Sequence, residues 1–553
     1  MVRMLRTRAT SAMSSRLASL LASLLTGLLA LTLGTALVAP TAGAAGPGGP
    51  EQKREQRSEQ RKVAERALAA AEAAAAGERT GEGAREGSGG GAARDQTLAM
   101  RDLFVAKHAL RRADRAAAER LLARPTTPPD DPEDPRDIYY GEDADVQTQC
   151  AATYCLHWVE EGLHAATPAF AATAFGTIGD VAEVYVDAGF RAPLPDAGQE
   201  GDTRTDFYLG DIDSVGALGF CRSDADGPVV GSAWYAYCGF DNDYASSPWL
   251  DPASLLRITV AHEYFHAVQY AYDAEDDAWL YESTATAMED ELYDDVNDNV
   301  AFLGYGQMGD PEETGFPLSG PATPLDVFDF NAYGNWAFWR FLSEQHPDET
   351  AGIPNLAREL WEALDTTQGA EATFSLEALD QVLSARGTSV PDEYVAFADA
   401  SQHPGDVYEE AVEQLYPTAP NSIDAVQLSR RASTAARTAV LDHLTSATGE
   451  VLPFGGSRRL KVRVDLDGAG VARAAVTVHG LDGGTETTYV SVNKQGKGGV
   501  TVPFRTDEVA SVEVTLANGS TRMRDCGAGS AYACGGSSPD DGLVAAVRFQ
   551  AVG

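Results

Sequence analysis

The chain is 553 residues long, room for roughly two to four domains, and sets 82 acidic against 42 basic side chains for a formal charge of −40. Acidity on this scale argues against nucleic acid and anionic membranes as partners. It suits a solvated exported protein, or one whose substrates are basic.

The N-terminus carries Arg3, Arg6, Arg8 and Arg16, then an apolar run over 17–38 and the small residues Ala42-Gly43-Ala44. That layout predicts a secretory signal peptide over 1–44. The rival is an uncleaved anchor, since the run is long enough to span a bilayer. No other segment is apolar enough to do so. The mature protein is therefore expected outside the cell, free of the membrane.

Residues 45–94 are rich in Gly, Ala, Glu and Arg and nearly lack large apolar side chains. Such a stretch cannot offset its ordering entropy and predicts disorder, with at most a solvated helix over 51–76. A helical pattern follows over 95–124, with Leu98, Leu103, Phe104, Leu110, Leu121 and Leu122, and a Pro/Asp linker over 125–135 ends it. Region 45–136 reads either as a prosegment removed from a cleft or as a permanent helical arm. The six cysteines fall as local pairs, Cys150–Cys155, Cys221–Cys238 and Cys526–Cys534. An oxidising compartment and the lack of any Cys-x-x-Cys favour disulfides over a structural metal.

A mixed region begins near Asp137. Strands are predicted over 154–159 and 205–209, and a helix over 168–189 with Thr167 as cap and Pro168 as first residue. A strand-like run over 232–240 follows. Next comes Val260-Ala261-His262-Glu263-Tyr264-Phe265-His266-Ala267-Val268, with apolar residues at helical spacing. Residues four apart on a helix stack one above the other, so His262 and His266 present imidazoles to one point. Zinc at a catalytic site takes three protein ligands and keeps one position open. Glu263, rotated by roughly 100°, flanks that point and suits a general base. The third ligand is expected from Glu282 on a helix over 279–290, where Glu282, Thr286 and Glu289 share a face. Glu289 or Asp290 is expected to orient an imidazole from behind.

The run Leu292-Tyr293-Asp294-Asp295-Val296-Asn297-Asp298-Asn299 reads either as a calcium loop, by its density of oxygen ligands, or as a solvated acidic turn. A helix opens near Tyr333, and others are expected over 356–364, 376–383 and 393–400. From about Thr438 the period changes to two, with strands over 460–466, 475–478, 488–492, 512–516 and 544–549 between Gly-rich turns. That pattern predicts a β-sandwich over 438–553.

His262-Glu263-x-x-His266 followed by Trp279-x-x-Glu282 resembles the gluzincin metallopeptidases, and the wording around both segments is similar to a group of secreted bacterial zinc metalloproteases. The similarity runs from about Asp95 onward, and only the zinc motif is sharp. The resemblance implies an α+β fold: a zincin-like domain over 137–437, with a mixed sheet, the HExxH helix and a helical C-terminal lobe, followed by the all-β sandwich. It implies Zn2+ as cofactor and a protein or peptide as substrate. It further implies an edge strand at Ala236, Tyr237 and Gly239 that pairs with substrate, an ordinary core strand being the alternative. Tyr333 matches the family's oxyanion donor by position, with core packing beside Trp336 and Phe338 as the alternative. His266 and Glu282 stand closer in sequence than in the aminopeptidase branch, so no exopeptidase-type site is carried over. The rivals to a peptidase are a non-catalytic zinc-containing binding protein and a zinc hydrolase of non-peptide bonds. The sequence sets no oligomeric state.

Overall fold

The computed structural model describes residues 50–76, 96–129, 138–369, 373–468, 470–523 and 538–553. The expected signal peptide and the Cys526–Cys534 pair lie outside the described residues. The chain divides after Arg54 into two units, and the described part of the first is only the opening turn of one helix.

The fold is mixed α+β. Helix α1 (Pro50–Ala75) covers the stretch expected to be disordered or fully solvated. Its Ala64, Leu68 and Ala71 are buried in the main core, because small side chains every three or four residues let the helix seat closely. Helices α2 (Gln96–Ala106) and α3 (Arg112–Leu121) form where the pattern predicts them. Leu98, Leu103, Phe104, Leu121 and Leu122 are buried.

One sheet contains β1 (Val146–Cys150), β2 (Tyr154–Val159), β3 (Thr205–Gly210), β4 (Gly219–Arg222) and β5 (Tyr237–Asp241), in the order β1-β2-β3-β5-β4. Strands β2, β3 and β5 run parallel, and antiparallel strands close both edges. The crossover helix α4 (Pro168–Asp187) starts where expected: Thr167 accepts from the Phe170 N–H at 3.1 Å, with Pro168 in the first turn. Disulfides Cys150–Cys155 and Cys221–Cys238 tie β1 to β2 and β4 to β5. Among the described residues no helix is long and apolar enough to cross a membrane.

Helices α5 (Pro252–Tyr270) and α6 (Ala278–Tyr293) pack against each other, and α5 also lies on β4 and β5. Asp251 caps α5, accepting from the N–H groups of Ala253 and Ser254 at 3.1 Å. The sequence suggests one apolar face, yet α5 is buried on every side from Ile258 to Tyr270. A helix threaded through a core needs no polar face. Helices Trp336–Gln345, Asn355–Ala363, Leu376–Ala385 and Val390–Ala400 form a helical lobe after α6.

The C-terminal region is two sheets, of five and four strands, packed around a shared core that includes Val462, Val476, Val514 and Val547. It begins earlier than expected, since Ile423–Leu428 already pairs in parallel with Thr445–Pro453. The strand expected over 488–492 sits at Thr485–Tyr489.

Candidate active site

Because α5 and α6 cross in contact, His262, His266 and Glu282 converge with their ligand atoms all within 4.8 Å of one another. His262 Nε2 lies 3.2 Å from Glu282 Oε2, and His266 Nε2 lies 3.6 Å from Glu282 Oε1. Metal–ligand bonds of about 2.1 Å at tetrahedral angles place ligand atoms ~3.4 Å apart. The two separations bracket that value. His266 Nε2 and Glu282 Oε1 are also buried with no hydrogen-bond partner among the described residues. Such atoms are costly unless something occupies the space between them. The donor set fits a zinc ion.

The far side of each ring fixes its tautomer. His262 Nδ1 is 2.7 Å from Glu289 Oε1, and His266 Nδ1 is 2.6 Å from Gln269 Oε1. Gln269 cannot turn its amide around, because its Nε2 donates to the Tyr281 carbonyl at 3.1 Å and to Thr284 Oγ1 at 3.0 Å. Both Nδ1 atoms are therefore donors, which leaves Nε2 of each ring aimed at Glu282.

Burial works to lower His262, but hydrogen bonds to Glu282 and Glu289 and their charges outweigh it and push the imidazole up to about 9. His266 goes the other way, to about 4, chiefly because burial disfavours its charge. Burial works to raise Glu282. The charge of His266, followed by the hydrogen bond and charge of His262, holds it below its ordinary value instead.

Glu263 points toward the N-terminal arm. Its Oε2 accepts from Thr97 Oγ1 at 3.0 Å, and the same hydroxyl accepts from the Cys221 N–H at 3.0 Å. Strand β4 reaches this point because it carries Gly219: a Cβ there would stand 2.8 Å from Glu263 Cγ and 2.7 Å from Thr259 Cγ2. The Tyr333 ring stacks on His262 with centroids 6.3 Å apart and packs against Phe302 and Phe330. It thus faces the site and the core at once.

Two expectations are corrected. Ala236, Tyr237 and Gly239 do not form an edge: β5 is flanked by β3 and β4, and the edge beside the histidines is β4, whose four residues carry too little pattern to announce a strand. Asp290 orients no imidazole. One residue beyond Glu289 it has turned away, accepting from Asn299 Nδ2 at 2.9 Å and pairing with Arg340 at 3.3 Å. The acidic run over 292–299 does not gather its side chains either. Asp295 pairs with Arg257 at 2.6 Å, Asn299 bonds Asp290, and no cluster of ligand atoms forms there among the described residues.

No protein-family model matches the sequence, and no curated protein matches it. Among solved structures the chain is similar to the pre-peptidase C-terminal domain of a collagenase from Bacillus anthracis, with 9% identity and a TM-score of 0.14 over 24% of this chain and 95% of that one. It is similar to AlgX from Pseudomonas aeruginosa, with 16% identity and a TM-score of 0.14 over 22% of this chain and 28% of that one. A 4-O-methyl-α-glucuronidase specific for decorated arabinogalactans gives 8% identity and a TM-score of 0.14 over 66% and 54%. Likenesses this weak carry no argument about the fold or the chemistry.

Proposed function

We propose that this chain is a secreted zinc metallopeptidase of the gluzincin type, with a zincin-like domain, that hydrolyses peptide bonds. The observation that carries the reading is the convergence of His262, His266 and Glu282 around buried, partnerless ligand atoms, with both imidazoles oriented from behind by Glu289 and Gln269. The two disulfides fit an oxidising compartment outside the cell.

His262, His266 and Glu282 would hold the zinc, which when bound supplies a Lewis acid that polarises a carbonyl and acidifies water at neutral pH. Glu263 takes the proton of the attacking water on its carboxylate and delivers it to the leaving nitrogen. Tyr333 offers a hydroxyl to the oxyanion as charge develops on it. Substrate pairs with β4, the sheet edge beside the histidines. Thr97 occupies that place in the present structure, on both the base and an edge N–H, so α2 must move before a peptide can enter.

Casein cleavage by the mature protein tests the reading. Glu263→Gln is expected to keep its zinc and lose turnover by roughly 10²–10⁴-fold. Equal turnover in the variant and the parent would refute the assignment.

A further inference from the structure

A second group of ligand-bearing side chains lies far from the first in sequence, where the helix Val390–Ala400 packs on the strands Ala472–Gly480 and Val509–Asn518. Thr477 stands opposite Glu513 in the antiparallel register, and His479 is two residues on, so all three project from one face of the sheet. His403, in the turn after the helix, comes down onto the same face. His479 Nε2 is 2.9 Å from Glu513 Oε2, and His403 Nδ1 is 3.7 Å from it. The two rings stand nearly perpendicular, centroids 5.4 Å apart, and the three ligand atoms lie within 4.8 Å of one another.

We infer that His403, His479 and Glu513 form a second divalent-metal site, zinc by its donor chemistry, which staples the helical lobe to the C-terminal sheet. The measured separations again bracket the ~3.4 Å of a tetrahedral ion. An ordinary ion pair between His479 and Glu513 accounts for the shorter contact only. It leaves His403 Nδ1 buried with no hydrogen-bond partner among the described residues, and such atoms are rare without a cause.

The surroundings also suit an ion. On the far side of the His403 ring, Nε2 faces the buried Asp399 carboxylate at 3.9 Å. Asp399 is held in turn by the hydroxyls of Thr477 at 2.8 Å and Thr487 at 3.1 Å. A carboxylate behind a ligating imidazole fixes its tautomer and raises its basicity. Two carboxylates face two imidazoles here, so a doubly charged cation balances them without protonating either ring. The side chains are 11%, 21% and 13% exposed for His403, His479 and Glu513, which leaves water as the fourth ligand. Imidazole nitrogen in the set excludes a calcium-type site, which takes oxygen alone.

The full-length protein, purified with zinc in the medium and dialysed, is expected to carry two zinc ions per chain by elemental analysis. His479→Gln and the shape-preserving Glu513→Gln should each carry one, and His266→Ala should also carry one. A single ion in the parent that survives His479→Gln but is lost in His266→Ala overturns the second site and spares the peptidase reading. A single ion with the reverse behaviour supports the second site and sinks the first, and no ion at all sinks both. Without any variant, added zinc should protect His403 and His479 of the intact chain from diethyl pyrocarbonate, read by peptide mass. Equal modification with and without zinc overturns the inference.

Discussion

At the candidate centre each residue's job comes from its place on a helix turn. Glu289 lies seven residues after Glu282, two helical turns along the same face, which is why one side chain reaches the front of the His262 ring and the other its back. Replacing Glu289 by Gln keeps an acceptor but removes its charge. Zinc affinity is expected to fall by roughly 10–100-fold, as read by competition with a chromophoric chelator. An unchanged affinity would show that Glu289 does not tune the site. Tyr333→Phe separates the two roles left open by its position. An oxyanion donor predicts a loss in kcat of about 10²–10³-fold with melting temperature and zinc content unchanged. A packing role predicts little change in kcat, because Phe keeps the ring that packs on His262, Phe302 and Phe330. Much of this set is legible in the sequence, because helical spacing pairs His262 with His266 on α5 and Glu282 with Glu289 on α6, and the short connection between the helices lets the pairs meet. Gln269 is within reach by the same logic, three residues after His266. Thr97 and Gly219 are not, since they meet Glu263 only through tertiary packing.

Among the elements, the N-terminal arm changes most between sequence and structure. The helical period over 95–124 is plain, but nothing in it tells where the helix docks. It docks on β4: Thr97 spans Glu263 and Cys221, Arg222 donates to the Leu121 carbonyl at 3.2 Å, and Tyr237 donates to the Leu122 carbonyl at 3.0 Å. Arg124 at its end is almost wholly buried between Asp196, Asp206 and Asp224. The edge strand is illegible for a related reason. Gly-Phe-Cys-Arg is too short and too mixed to show a period of two, and its burial comes from the arm on one side and α5 on the other. Thr97→Val removes the hydroxyl that donates to Glu263 and accepts from the Cys221 N–H, at about 1–3 kcal/mol. If the arm is a cover, the uncovered population should rise by roughly 10–100-fold, with faster amide exchange in α2 and faster casein turnover. Faster exchange without faster turnover would show that the arm does not gate the site.

Across the whole molecule, five strands of the sandwich are readable, and Ile423–Leu428, Arg437–Leu441, Thr445–Pro453 and Lys497–Pro503 are not. Ile423–Leu428 and Arg437–Leu441 carry no clear alternation, because apolar Ala425 and Val440 are exposed and only Ile423, Leu428 and Leu441 are buried. Their junction with the helical lobe turns on His443, whose Nδ1 is 2.6 Å from Asp541 and whose Nε2 is 3.1 Å from Asp326. Burial works to lower this imidazole, but the charges and hydrogen bonds of Asp326 and Asp541 outweigh it and push it up to about 9. A histidine raised above its ordinary 6.5 stabilises the fold fully below that pH, and the contribution, about 3 kcal/mol, is lost as pH rises through 9. The gap in melting temperature between the parent and His443→Gln should therefore narrow between about pH 6.5 and 9.5. A constant gap would show that the charge on His443 does not stabilise the fold.

From Ile258 to Tyr270 the helix that carries both histidines of the first centre runs through the interior with no wet side. His262, His266 and Glu282 are almost wholly buried and Thr97 of the arm covers Glu263, so an ion held there is expected to load and to exchange slowly, when the arm lifts. The partly exposed cluster at the C-terminal sheet faces no such barrier, and a chelator should empty it long before the inner centre gives up its metal.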